Sequence, residues 1–192
     1  MCPFFRILWA YKSLGMQVQI KREKPRDIEE MNLLFKIAFE QDTMSQLVKE
    51  FRTTNQFIPE LSRLAHINDQ VIGSIMCSRA EITKGRRNIS SIIMVSLAVL
   101  PSYQNLGIGI QLVHNSLTKA TELGYQSVLV LGPQSYFGRF GYNKASEYGI
   151  FNGLPYPEED FLALELTANA LNNASGKLKS DQLMQKFLAF HM

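Results

Sequence analysis

Gln104-Asn105-Leu106-Gly107-Ile108-Gly109 is the segment whose residue types and spacing propose chemistry most directly. It follows an apolar run ending Val99-Leu100-Pro101 and leads at once into a helical pattern. A glycine-containing loop at a helix start leaves backbone N–H groups unpaired, and these donate to anions at the positive end of the helix dipole. Phosphate is the expected ligand class. Two phosphate loops are ruled out or disfavoured by the neighbouring residues. A Walker loop requires Lys and Ser or Thr after its last glycine, whereas Gly109 is followed by Ile110 and Gln111. A dinucleotide fingerprint requires a third glycine and an acid about 20 residues further on. Here Leu112 occupies the third glycine position, and the next apolar run ends Val130-Leu131-Gly132 with no acid.

The loop must be held between a strand and a helix, and the flanking patterns supply both. Ile92 to Leu100 is a β-rich apolar run that reads as a central strand, ended by Pro101. Leu112, Val113, Leu117 and Ala120 recur at helical spacing, and Gly124 stands where a helix C-terminal cap belongs. Ser127 to Leu131 is a second buried strand, so the three elements form a right-handed βαβ unit. Upstream, Gln17 to Lys21 alternates as a strand, and Pro25 opens a helix through Phe39. A second helix is expected over Ser45 to Phe51. Leu61 to Ile67 and Val71 to Ser78 read as a hairpin around Asn68-Asp69-Gln70. Lys84 to Asn88 reads as a solvated basic loop. Downstream, a short helix is expected over Gln134 to Phe140, with strands over Gly141 to Ile150 and Phe161 to Leu166. Pro155-Tyr156-Pro157 reads as a loop between these strands, and a last amphipathic helix is expected over Asp181 to Phe190.

Composition fits one globular domain. The 192 residues are 46% hydrophobic and 19% charged, with a net charge of +3 and no Lys/Arg block to suggest nucleic acid. Cys2 and Cys77 make no disulfide framework, which points to a reducing cytosol, and His66, His114 and His191 show no metal-ligand spacing. Residues 1–15 are apolar but too short to span a membrane, and they lack the features of a signal peptide. They read as a non-core extension, or as a short apolar helix docked on the domain or on a partner. The expected organisation is this extension, a single α/β domain over residues 16–170, and a C-terminal tail over 171–192 with a helical pattern.

The loop resembles motif A of the GNAT superfamily, the Gcn5-related N-acetyltransferases, whose pattern is Gln/Arg-x-x-Gly-x-Gly/Ala after a strand. Phe137-Gly138-Arg139-Phe140-Gly141-Tyr142 is similar to the Tyr-x-x-Leu-Gly-Phe element of that family. Leu131-Gly132-Pro133 is similar to its YhbS-like subgroup. The resemblance covers roughly Gln17 to Leu166. It implies a mixed sheet in which two neighbouring parallel strands splay apart, with acetyl-CoA as the acyl donor and an amine as the acceptor. Pantetheine would pair with the strand edge Leu97, Ala98 and Val99. The coenzyme A pyrophosphate would rest on Gln104, Asn105, Leu106, Gly107, Ile108, Gly109 and Ile110, where the two glycines admit close backbone approach. Nucleic acid and membranes are not expected partners, and a homodimer is compatible with the reading.

Proton chemistry is where this chain departs from the family. The strand Ile92 to Leu100 holds no carboxylate to act as base, and Glu40, Asp42, Glu81 and Glu147 lie elsewhere. The family tyrosine that protonates the leaving thiolate falls on Phe137, with Tyr136 one residue earlier. Adjacent side chains on a helix point about 100° apart, so Tyr136 replaces it only if the short helix is shifted or distorted. Phe137 is expected to pack against pantetheine or the core. Two function classes follow: an N-acetyltransferase, or an acyl-CoA-binding module of the same fold that senses the cofactor or regulates a partner.

Overall fold

The computed structural model describes residues 17–40, 42–153 and 157–190. The expected N-terminal extension, Cys2, His191 and the Pro155-Tyr156 part of the expected loop lie outside them. Alternation near the start of the domain produces β1 (Gln19–Arg22). Asp27 accepts a hydrogen bond from the Lys24 N–H at 2.8 Å, and Pro25 opens a 3-10 turn that runs into α1 (Ile28–Phe39). α1 buries Met31, Leu34 and Phe35, and α2 (Thr43–Arg52) buries Met44, Leu47, Val48 and Phe51, each helix turning one apolar stripe inward. Arg52 and Glu23 form a partly buried ion pair, Nε to Oε1 at 2.7 Å, that ties the end of α2 to the exit of β1.

A hairpin of β2 (Phe57–Ile67) and β3 (Gln70–Lys84) follows. Asn68 and Asp69 both adopt positive φ, 49° and 63°, which gives the two-residue turn that matches strand twist. β3 returns as β4 (Arg87–Val99), and cross-strand pairing runs out to Lys84 and Arg87. The expected basic loop therefore shrinks to a tight turn at Gly85-Arg86. Ala80 and Ile82 are buried, so period-two alternation carries β3 six residues past Ser78.

The helix α3 (Ile108–Glu122) crosses over to β5 (Ser127–Leu131), which runs parallel to β4. α4 (Gln134–Phe137) continues as a 3-10 turn over Gly138–Phe140. The strand expected over Gly141 to Ile150 is replaced by two short ones, β6 (Asn143–Lys144) and β7 (Ile150–Phe151), around a 3-10 turn. Gly141 and Gly149, with φ of 90° and 70°, break the extended run. β8 (Phe161–Glu165) pairs antiparallel with β5. The polar stretch after Thr167 carries a strand that its pattern did not announce, β9 (Gly176–Leu178), which pairs with β3 and β7. Among the described residues these strands form one mixed sheet in the order β1-β2-β3-β4-β5-β8-β6, with β9 on β3 and β7 on β9. No described helix is long and apolar enough to cross a membrane.

The final helix, α5 (Gln182–Phe190), packs on α2. Asp181 accepts from the Met184 N–H at 2.8 Å, and Phe187 is fully buried with its ring edge-on to Phe51 at 6.1 Å. Residues read as a tail thus contribute to the core beneath the helices that border the site. Phe187→Ala is expected to lower the unfolding free energy by about 3–5 kcal/mol in urea denaturation, as buried aromatic truncations do. A loss within about 0.5 kcal/mol, typical of surface positions, would show that α5 is not docked.

Candidate active site

At the end of β4 the chain turns through a 3-10 segment, Pro101–Tyr103, after which Asn105 and Gly107 take left-handed φ of 60° and 78°. α3 then starts at Ile108. The Gln111 N–H is the first in the helix to reach back, bonding the Gly107 carbonyl at 3.0 Å. Among the described residues no N–H from Asn105 to Ile110 donates to another backbone group. Gln104 donates from Nε2 to the Val99 carbonyl at 3.2 Å and so pins the loop to the strand end.

Asn105, Gly107, Ile108, Gly109 and Ile110 line a cavity of about 420 Å³. Leu97, Val99 and Gln104 form its strand side, joined by Tyr103, Tyr136 and Arg139. Three residues expected at the site are not part of this lining: Phe137, which borders the neighbouring cavity instead, and Ala98 and Leu106, which line neither. Ala98 is buried on the other face of β4, as strand alternation requires, and Leu106 is 38% exposed. Arg139 is a cation that sequence reasoning passed over, although it sits inside the quoted Phe137–Tyr142 element. A guanidinium beside unpaired amides suits a polyphosphate.

A second cavity, of about 340 Å³, opens between β4 and β5. Parallel pairing joins Ile92, Ile93 and Met94 to Val128, Leu129 and Val130 and goes no further. Val95 is the extra residue of a bulge, because Met94 pairs with Cys77 and Ser96 with Met76. β5 instead continues beside β8, with Leu131 opposite Phe161 and the Gly132 N–H bonded to the Asp160 carbonyl at 2.9 Å. Met94 to Leu97 wall one side of the gap and Val130 to Pro133 the other. Phe39 and Met44 reach in from α1 and α2, and Tyr136 and Phe137 from α4. Leu97 and Tyr136 line both cavities, so the two adjoin.

Tyr136 and Phe137 both face this space, despite being neighbours on one helical turn. Their rings meet edge-on at 5.0 Å, and the Arg139 guanidinium lies 4.8 Å from the Tyr136 ring centre. A methyl group on Gly109 would lie 2.7 Å from the Tyr136 hydroxyl. The space that a side chain would take at Gly109 is therefore already used by Tyr136, a second reason for glycine beside phosphate access. Burial pushes the Tyr136 pKa above its ordinary value, with Arg139 pulling it partly back. Phe137 is 6% exposed, and a methyl on Gly132 would approach its ring to 2.5 Å.

Carboxylates are absent from the described lining of both cavities. Asp42 pairs with Lys36 at 3.7 Å and Glu81 with Lys179 at 2.7 Å, and neither carboxylate lines either cavity. Glu158, which no sequence signal marked, has a buried Oε2 without a partner and a pKa raised by burial. It stands two residues before Asp160, whose carbonyl holds Gly132. Cys77 is buried outside both linings, and burial pushes its thiol up to about 11, so it is no ready nucleophile.

A mixed sheet that parts between two parallel strands, with a loop of unpaired amides at the end of one of them, defines the acyl-CoA N-acyltransferase class of fold. Residues 19–145 match the family described as acetyltransferase (GNAT) domain, and the chain belongs to that family. It is 27% identical to the uncharacterized N-acetyltransferase YhbS of Escherichia coli strain K12, over 88% of this chain and 99% of that protein. It is 33% identical to the uncharacterized N-acetyltransferase YjhQ of the same strain, over 53% of this chain and 56% of that one. The crystal structure of E. coli YhbS in complex with CoA matches with a TM-score of 0.82 over 88% of this chain and 93% of that chain. A Brucella melitensis GNAT acetyltransferase in complex with acetyl-CoA shares the fold, with a TM-score of 0.70 at 23% identity over 87% of this chain and 97% of that one.

The Gly109–Tyr136 contact yields a test. Gly109→Ala is expected to push the Tyr136 hydroxyl aside, with a net cost of up to about 1 kcal/mol after the gain from alanine's better helix propensity. Adding Tyr136→Phe, which removes the clashing hydroxyl, is expected to recover most of that loss. Purely additive effects of the two changes in urea denaturation would contradict the contact.

Proposed function

We propose that the protein transfers the acetyl group of acetyl-CoA directly to a primary amine of a small molecule or protein. The observation that carries this reading is the junction of the two cavities at Leu97 and Tyr136. One cavity offers amides and a guanidinium to a pyrophosphate, and the other offers an unpaired strand edge to the thioester arm. The complexes of the E. coli relative with CoA and of the Brucella fold-mate with acetyl-CoA support the same ligand class.

In this mechanism the amides of Asn105 to Ile110, with Arg139, hold the pyrophosphate. The edge of Leu97 to Val99 aligns the pantetheine amides as an added strand. A β4 N–H beyond the Val95 bulge polarises the thioester carbonyl and stabilises the oxyanion that forms on attack. The neutral amine then attacks the carbonyl carbon. A C–N bond forms, the C–S bond breaks, the amine loses a proton to water, the departing sulfur takes one from the Tyr136 hydroxyl, and Tyr136 regains its proton from water. The Tyr136 hydroxyl is protonated at neutral pH, as a donor must be, and burial moves its pKa further up. Phe137 packs along the arm in the position that a family tyrosine occupies.

With no carboxylate in the described lining, the amine must shed its proton largely in solvent. An alkyl amine with a pKa of about 10.4 is neutral in only about one molecule per thousand near pH 7. The rate constant kcat/KM for the amine is therefore expected to rise about tenfold per pH unit from pH 6 to 9. The raised pKa of Tyr136 places any loss of its proton above the ordinary value of about 10, so no falling limb is expected below that pH. A plateau starting near pH 7 would show that the enzyme supplies a base. Tyr136→Phe is expected to lower kcat by about tenfold or more, with KM for acetyl-CoA within about twofold of wild type. Free-thiol release reads both quantities. Thermal stabilisation by acetyl-CoA without thiol release on any amine would favour the binding-module reading.

A further inference from the structure

Ser96 is the one polar side chain that β4 contributes to the gap between β4 and β5. It is 4% exposed, and its hydroxyl has no hydrogen-bond partner among the described residues. A buried hydroxyl without a partner costs stability, and such a cost at a cavity wall marks a group kept for a ligand. The face it occupies is set by register. Gly73 pairs with Val99, and a methyl on Gly73 would meet Leu112 and Ile108, so Leu97 and Val99 lie on the α3 face of the sheet. Ser96 therefore points to the opposite face, where Phe39 of α1 and Met44 of α2 close the same cavity.

Apart from Ser96 and Tyr136 the side chains lining the cavity are apolar, among them Phe39, Met44, Val95, Leu131 and Phe137. No charged side chain lines the cavity among the described residues, and its space would be shared between the acyl arm at the β4 edge and the acceptor on the side of α1 and α2. A polycationic acceptor would lose its hydration there with no carboxylate to replace it. An amine on an alkyl or aryl body would bury its apolar part against these side chains and need one partner for its nitrogen.

We propose that Ser96 Oγ accepts a hydrogen bond from the attacking amine, and that this chamber selects amines carried on apolar bodies. The proposal rests on the transferase reading above. In it Ser96 directs the nitrogen lone pair at the thioester carbon beside the β4 edge. The hydroxyl takes no proton permanently and forms no covalent bond. Its stability cost in the free protein is offset only when the acceptor arrives.

The test uses the full chain with acetyl-CoA and follows thiol release on phenethylamine and hexylamine against spermidine and lysine amide, compared per neutral amine. The apolar amines are expected to give kcat/KM values at least about tenfold higher. Ser96→Ala is expected to lower kcat/KM for phenethylamine by about tenfold or more, the loss of one hydrogen bond to the reacting group. Its melting temperature should stay level or rise, and its stabilisation by CoA should not change. Ser96→Thr, which keeps the hydroxyl, should recover most of the activity. Ser74 provides the control, since its hydroxyl is equally buried and unpartnered but does not line the chamber. Ser74→Ala should leave turnover at the wild-type value. Unchanged turnover in Ser96→Ala, or a lowered melting temperature as its only effect, would overturn the role of Ser96. A preference for spermidine or lysine amide would overturn the apolar chamber. Thiol release on none of the amines would defeat the transferase reading itself and this inference with it.

Discussion

The parting of β4 from β5 is the constraint on which the rest of the structure depends. The strands share three parallel register pairs, ending at Met94 and Val130, and then separate. Each is held away from the other by a different partner. β4 stays with β3 through the Val95 bulge and on to the Leu100 N–H bond with Ile72 at 2.9 Å. β5 stays with β8, and its exit is fixed by the Gly132 bond to Asp160. Phe137 packs against Gly132 at the margin of the gap, where a larger residue would collide with its ring. Unpaired edges deep in a sheet are costly, and this one is retained where a ligand strand would complete it.

The loop and α4 convert that gap into a directed site. Left-handed turns at Asn105 and Gly107 deliver α3 with its first amides free, and Gln104 braces the loop on Val99. Tyr136 lies where the two cavities meet, its hydroxyl using the space beside Gly109 and its ring under Arg139. One side chain thus couples the end that would bind anions to the end where the thioester would react. The raised pKas of Tyr136 and Cys77 have the same cause, burial, but differ in consequence: Tyr136 borders a cavity and Cys77 does not.

Much of this was legible in the residues. The loop, its helix, the Gly124 cap and the Ser127–Leu131 strand are local patterns, and local patterns are what period and punctuation reveal. The splay followed only from the family resemblance, because strand divergence depends on partners distant in sequence. β3 and β4 were read too short since Arg79 and Glu81 look like loop residues until the buried Ala80 and Ile82 are seen between them. β9 was invisible because three residues in a polar stretch have no period to read. A strand read over Gly141 to Ile150 yielded to the left-handed glycines within it. Ser96, Arg139 and Glu158 escaped notice for one reason: a lone polar residue shows its role only through what surrounds it.

The departures from the family's proton-transfer groups also make physical sense in this frame. In the proposed reaction, a site whose described lining holds no carboxylate would rely on positioning, on a polarising amide and on a good leaving group. The central claim is that the edge of β4 beyond Met94 receives the pantetheine arm. Coenzyme A titrated into isotope-labelled protein, followed by amide NMR shifts, tests it most directly. Large changes are expected at both Asn105–Ile110 and Leu97–Val99, with Ile92–Met94, already paired to β5, little altered. Changes at the loop alone, with Leu97–Val99 unmoved, would reduce the site to an anion-binding loop and contradict the account.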